Sequence, residues 1–504
     1  MSSLGIYLGS ARVVAALVDT YGVTEVVADR QDAARRSTGA SVYIGEDGCL
    51  AGDVAEELVD ADARLSAIVD PKSQLGRREP VFTDPSGRLW GVEGVTAILL
   101  RKVLRDAQAQ AGAEPGMVGI AAPLWFNDVQ RRALRDAAKI AGLANPQLVD
   151  EPLAVAAFHR STIGSPCRTT LLVDLGHAGV AMSVLRTTPQ GDAIAGTSLE
   201  PGLGLQSLET EALEMVSAQF TAQTGVAPPE DPAARREFAR ISVAIVESLA
   251  ASGVAPVRRV AAVAGRTVEL ISFPHQWAHV FERRRALLGD TLQRCLDAAG
   301  VSLAQIQLIT VYGEAAGFAP MQDALKEFAN PLGIEIAAMQ PADAVACGTA
   351  LLVQESGGRS SAAGAALPTC SNDLGITVFD RKRNEFVVDV LIQRGTALPA
   401  SAKKTVYTNR ADQKRMVIQV AQVGGADGVA VDLGVFEFGP IASPRKNYPV
   451  EITLSYDAEG IVMASALDPE AGTTMEQVIS AEGDERAKWT MQQRAWVAGL
   501  GIND

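Results

Sequence analysis

From Gly5 the chain alternates like a strand, breaks at Leu8-Gly9-Ser10 and resumes from Val13 to Val18. Two apolar runs joined by small residues predict a β-hairpin. Strand and helix patterns then follow one another to about Val353. Apolar residues recur at helical spacing from Val129 to Ala141 and from Phe281 to Ala299, which predicts two amphipathic helices. The stretch SGGRSSAAGAALP, from Ser356 to Pro368, reads as a flexible linker. Beyond it the texture changes. From Leu374 to Ile479 short alternating strands are separated by turn signals at Arg381–Asn384, Gly424–Asp427 and Asp457–Gly460, a β-sandwich pattern. Asp484 to Val497 predicts one short helix and nothing more.

Composition alters this picture little. A chain of 504 residues has room for two or three domains, in keeping with the break in texture. The net charge of −14 argues against a nucleic-acid partner, since no basic excess is there to displace counterions. Cys49, Cys167, Cys295, Cys347 and Cys370 are scattered and include no CxxC pair, so no disulfide framework is expected and a reducing compartment fits. His275 and His279 stand one helical turn apart but do not complete a zinc set with Glu282, and no metal-ligating cluster is expected. The N-terminal residues lack the basic region and long apolar core of a signal peptide. No run reaches the ~18 apolar residues of a membrane helix. The expectation is a cytoplasmic protein with no membrane partner.

Five ordered segments carry a resemblance. AAPLWFNDVQRRALRDAAKIAGLANPQLVDEPLAVAAFH ends at His159, VDLGHAGVAMSVL starts at Val173, and MQPADAVACGTALLVQ starts at Met339. DLGITVFD from Asp373 and PVEITLSYDAEGIVMASALDPEAGTTMEQVIS from Pro449 follow in the β-region. Together they resemble the 70-kDa heat-shock chaperone family. The resemblance implies an α/β actin-like, two-lobed nucleotide-binding domain over residues 1–353, with lobes at about 1–170 and 171–353. It also implies a linker at 354–369, an all-β peptide-binding-like sandwich at 370–481, and a short helix or tail at 482–504 in place of a helical lid.

In such a domain each lobe supplies a hairpin whose tight turn aims backbone N–H groups at the phosphates, and glycine lets the backbone approach. The resemblance places Gly9, Ser10 and Ala11 in the first turn, Gly176 and Gly179 in the second, and Gly204 in a third phosphate loop. Lys72 matches the family's essential lysine, Glu151 the glutamate near magnesium and the attacking water, and Asp174 the carboxylate of the second hairpin. The plainer alternative for these three is a surface ion or a capping group.

Departures from the family pattern decide the functional expectation. Tyr7 and Ala181 stand where carboxylates organise magnesium, and His177, Ala178 and Leu205 stand where the phosphate loops have glycines. The segment Ser242–Leu249 replaces the polar adenosine clamp with mostly apolar residues. Gly313 begins an altered base loop, and Phe318 lies near the adenine-stacking position. Each lost metal or phosphate contact should remove a few kcal/mol, and each ~1.36 kcal/mol is tenfold in rate. The expectation is a degenerate ATPase with weak binding of ATP or ADP and magnesium.

At the client end, Ile376, Phe379, Tyr407, Met416 and Ile418 match positions where the family's peptide groove is apolar, although alternation alone would also bury them as sandwich core. The linker lacks the apolar residues that dock in the ATP state, and Gln147 replaces an arginine that engages J-domain co-chaperones. The leading expectation is therefore a chaperone-like protein that binds an extended peptide or a dedicated partner, with weak or no ATP turnover. A working ATP-dependent chaperone is the alternative, and a small-molecule kinase on the same lobes leaves the sandwich without a role.

Overall fold

A computed structural model describes residues 2–503 except 47, 63–64, 144, 164–167, 190, 229–230, 252–255, 264–265, 339–340, 359–369, 371, 381–382, 397, 425–429, 457–461 and 480–482. One sheet plan occurs twice. In the first lobe β1 (Ser3–Leu8), β2 (Arg12–Val18) and β3 (Thr24–Val26) form an antiparallel meander. Helix α1 (Val92–Ala111) leads to β4 (Met117–Ala122), α2 (Asp128–Ala141) and β5 (Gln147–Asp150), with β4 and β5 adding in parallel beside β1. β1 is buried along its whole length, as a strand covered on both faces must be. Asn127 and Gln130 cap α2 reciprocally, and Gly142 ends it in a left-handed conformation, φ 106°.

After α3 (Glu151–Ile163) the second lobe repeats the order with β6 (Arg168–Leu175), β7 (Val180–Thr188) and β8 (Gly191–Glu200). Helices α4 (Leu205–Thr224), α5 (Pro232–Ala251) and α6 (Ala278–Ala299) come next. β9 (Leu308–Tyr312), α7 (Ala319–Ala329) and β10 (Glu335–Ala338) complete the lobe, giving the sheet order β8-β7-β6-β9-β10. Helix α8 (Pro341–Gly358) then returns to the first lobe and packs on β1 and α3. Its approach requires glycine, because a Cβ on Gly5 would lie 2.1 Å from the Ala346 carbonyl oxygen. The lobes therefore exchange an element instead of dividing at one point in sequence. α8 also runs into the segment read as linker, through Gly358, and residues 359–369 lie outside the described residues.

The all-β region is a sandwich of two four-stranded sheets. β11 (Asp373–Asp380), β12 (Glu385–Ile392), β13 (Ala400–Tyr407), β14 (Met416–Val423), β15 (Ala430–Phe438), β16 (Pro449–Tyr456), β17 (Val462–Leu467) and β18 (Thr474–Val478) build it. The sheets run β12-β11-β14-β15 and β13-β16-β17-β18. In β16 every second residue is buried, and Val450, Ile452 and Leu454 face the opposite sheet. Each such side chain contributes about 1.5–3 kcal/mol by leaving water. The turn at 457–460, and parts of those at 381–384 and 424–427, lie outside the described residues. The sandwich seats on the start of α2. The Asp128 N–H donates to Gln422 Oε1 at 2.9 Å, and Asn372 Nδ2 donates to the Phe126 carbonyl at 3.1 Å.

The end of the chain does more than form a helix. α9 (Gly483–Gly499) lies on α1 and α2 of the first lobe, where Val497 and Ile502 join the core. The Trp496 ring sits 5.3 Å from that of Trp90. Asn503 accepts from the Ala51 N–H at 2.7 Å and donates to its carbonyl at 2.9 Å, as a neighbouring strand would. A reading along the sequence detaches this segment because its partners lie some 400 positions earlier.

Candidate functional site

The two hairpins face each other where the lobes meet. In the first, the Gly9 N–H bonds the Arg12 carbonyl across the turn at 2.9 Å. The N–H groups of Ala11 and Arg12 converge on one oxygen, Glu314 Oε1, at 3.0 and 3.1 Å. Glu314 reaches across from the turn after β9, where Gly313 adopts φ 98°. Only glycine fits there, since a Cβ would meet Asp174 Oδ1 at 2.1 Å as well as being strained. Gly9 is constrained likewise, a Cβ on it falling 2.2 Å from Glu314 Oε1.

The second hairpin is closed by a Gly176 N–H to Gly179 carbonyl bond of 2.9 Å. Its outward carbonyls are used too. His177 accepts from the Gln206 N–H at 3.0 Å and Gly176 from the Leu205 N–H at 3.4 Å, which occupies the first donors of α4. Gly204 permits this, as a Cβ there would lie 2.2 Å from the His177 oxygen. Ser10 is half-buried in the first turn.

Between the hairpins lies a buried charge cluster. Lys72, on the single helical turn Pro71–Gln74, donates to Glu151 Oε1 at 3.1 Å, and both side chains are less than a tenth exposed. The Lys72 ammonium also lies 5.2 Å from the centre of the Tyr7 ring, a cation–π contact. Burial works against that ammonium, but the charges of Glu151, Asp174 and Glu314 outweigh it and hold its pKa above the ordinary lysine value. Asp174 moves the other way in charge. Burial, and then the Glu151 carboxylate, push its pKa well up against the opposing pull of Lys72. Its Oδ1 has no hydrogen-bond partner among the described residues. A cavity of about 70 Å³ adjoins the cluster, lined by Trp125, Glu151, Asp174, Thr197 and Tyr312, and by Arg394 from the sandwich.

Several residues expected on the base side are buried. Phe318, expected as a stacking platform, is 3% exposed and packs against Phe281 at 6.1 Å inside the second-lobe core. Ser242 and Leu249 of α5 are buried in that lobe as well, so the helix turns its clamp face inward. The apolar substitutions explain both placements, since side chains without polar ends are drawn into the core.

In the sandwich the five client-end residues separate. Ile376, Met416 and Ile418 belong to the core between the sheets, whereas Phe379 and Tyr407 are 48% and 62% exposed. Strand parity is the reason: Ile376 and Phe379 are an odd number of residues apart on β11 and point to opposite faces. Phe379 packs on Phe386 across the outer face at 5.2 Å, and Tyr407 ends a strand of the other sheet.

Glu314 and Glu209 were not singled out by the sequence reading. The signal for Glu314 was an acidic residue directly after a glycine at the end of a buried strand. Glu209 Oε2 lies 3.1 Å from His177 Nε2, and this bond chiefly raises the His177 pKa. A histidine held up in this way contributes stability that is full below its unfolded value and is lost as pH rises through the folded one. We expect the NMR titration of His177 to have a midpoint above about 6.5 and to fall in Glu209→Gln. A midpoint unmoved by that change would rule out the pair.

A family model described as Hsp70 protein matches residues 78–495, well over half of the chain.

Proposed function

The chain belongs to the Hsp70 family, and on that premise we propose that it is a chaperone-like binding protein whose nucleotide cleft has lost turnover. The family fold supplies an actin-like nucleotide-binding domain, a β-sandwich and the chemistry of magnesium-nucleotide binding and peptide clients. The observation that carries the reading is the state of Lys72. Its ammonium is engaged by Glu151 and roofed by the Tyr7 ring, where a carboxylate would organise magnesium. A lysine spent on a buried ion pair has little charge left to stabilise a transferring phosphoryl group. Ala181 likewise offers no ligand. ATP or ADP with magnesium then binds weakly or not at all.

Extended peptide segments or one dedicated protein partner are the ligands this reading assigns to the sandwich, without a nucleic acid or membrane. Dependence on a J-domain co-chaperone is doubtful, because Gln147 occupies the arginine position and accepts a hydrogen bond from Ser356 Oγ at 2.9 Å. No described helix is long and apolar enough to cross a membrane. The second reading, an active ATP-dependent chaperone, is favoured by the grouping of Lys72, Glu151 and Asp174 in one cluster. Steady-state phosphate release decides between them. We expect a rate at background that Lys72→Ala does not lower further. A wild-type rate typical of the family establishes the second reading instead.

A further inference from the structure

An anion already sits in the first phosphate hairpin. Two adjacent backbone N–H groups aimed at one oxygen form the kind of nest that takes a phosphate oxygen in a nucleotide cleft. Here that oxygen is Glu314 Oε1, delivered from the opposite lobe more than 300 positions away. The fit is close, because Gly9 leaves no room for a Cβ beside the carboxylate. The other phosphate loops are engaged with each other, since the first N–H groups of α4 bond the carbonyls of Gly176 and His177. A magnesium-bound phosphate chain therefore does not fit these residues as they stand. It would meet a carboxylate in its seat and find the first N–H groups of α4 taken.

We infer that Glu314 is a specificity-determining residue. Its carboxylate stands in for the phosphate, ties the lobes together without a ligand, and turns phosphate-bearing ligands away from the cleft. The inference rests on the reading of the cleft as one that has lost turnover. Repulsion alone would discourage a second anion here, since a carboxylate and a phosphate a few ångströms apart in a partly buried site oppose each other strongly.

The test is direct binding of inorganic phosphate, ADP and adenosine to the full chain, as wild type, Glu314→Gln and Glu314→Ala. Removing the carboxylate should tighten ADP and phosphate at least tenfold and leave adenosine unchanged, because adenosine carries no group for the freed hairpin. Equal gains for all three would mean that the cleft has simply opened, and would overturn the inference. Hydrogen exchange gives a readout that needs no ligand. The Ala11 and Arg12 amides should be protected in wild type and exchange at least tenfold faster in Glu314→Ala. Unchanged exchange overturns the clamp even if the variant binds. Glu314→Gln keeps an acceptor oxygen and serves as the check on folding: it should retain the protection and still admit ADP more readily than wild type. If wild type binds and hydrolyses ATP tightly, the reading of the cleft fails together with this inference. If wild type is inert and Glu314→Ala gains nothing, only the role of Glu314 fails.

Discussion

Lys72→Met should destabilise the protein by about 3–5 kcal/mol, the cost of removing one partner from a buried ion pair. Lys72 is 7% exposed and Glu151 3%, so water cannot replace the lost ammonium. Asp174 and Glu314 act on the same ammonium, which makes it the positive centre of a cluster of carboxylates. In an enzyme that held its lysine ready for a phosphate, the same substitution would fall mainly on turnover. Here it falls on the fold. Urea unfolding monitored by fluorescence measures it, and a loss below about 1 kcal/mol, the level of exposed ion pairs, would show that the pair is solvated. Pairing the change with Glu151→Gln should recover much of the loss, because the stranded charge goes with its partner.

The pH dependence of that loss has a definite sign. Asp174 has its pKa raised by burial, and its stability contribution is full below the unfolded carboxylate value and declines as pH rises toward the folded one. Without Lys72 to oppose the rise, the folded pKa climbs further and the declining window widens. The deficit of Lys72→Met should therefore shrink on acidification toward the carboxylate range. A deficit that grows there instead would mean that Asp174 stays ionised in the fold.

The first hairpin, the amphipathic helices and the sandwich were legible because each rests on local rules, whereas Lys72, Glu151 and Asp174 were placed only by the family resemblance. Alternation from Gly5 to Val18 fixes the first hairpin, and apolar spacing fixes α2 within a residue of the expected Val129–Ala141. What was not legible depends on distant pairs. Nothing near Glu314 in sequence announces that it will meet Ala11 and Arg12. Nothing near Val497 announces a place in the first-lobe core. Phe318 was expected as a stacking platform, and its partner Phe281 lies on a helix read only for its own periodicity. Strand parity, by contrast, was available from the start and separates Ile376 from Phe379 without coordinates.

That parity makes Met416 the sharpest probe of the client end. The residue is 6% exposed, pairs with Phe438 across the sheet and packs in the sandwich core. Met416→Asp would place a carboxylate there without a partner, and the combined loss of packing and burial of a charge costs about 4 kcal/mol or more. Against a total stability of about 5–15 kcal/mol for a typical domain, that is enough to unfold much of the sandwich. Loss of peptide binding in this variant would therefore say nothing about a groove. The expected result is loss of near-ultraviolet circular dichroism and rapid proteolysis between residues 373 and 478. Tyr407→Ser, at a side chain 62% exposed, should change stability by less than about 0.5 kcal/mol and leaves any loss of peptide binding attributable to contact. If Met416→Asp folds as well as wild type, its carboxylate has reached water. Met416 would then line an open groove and would not be core.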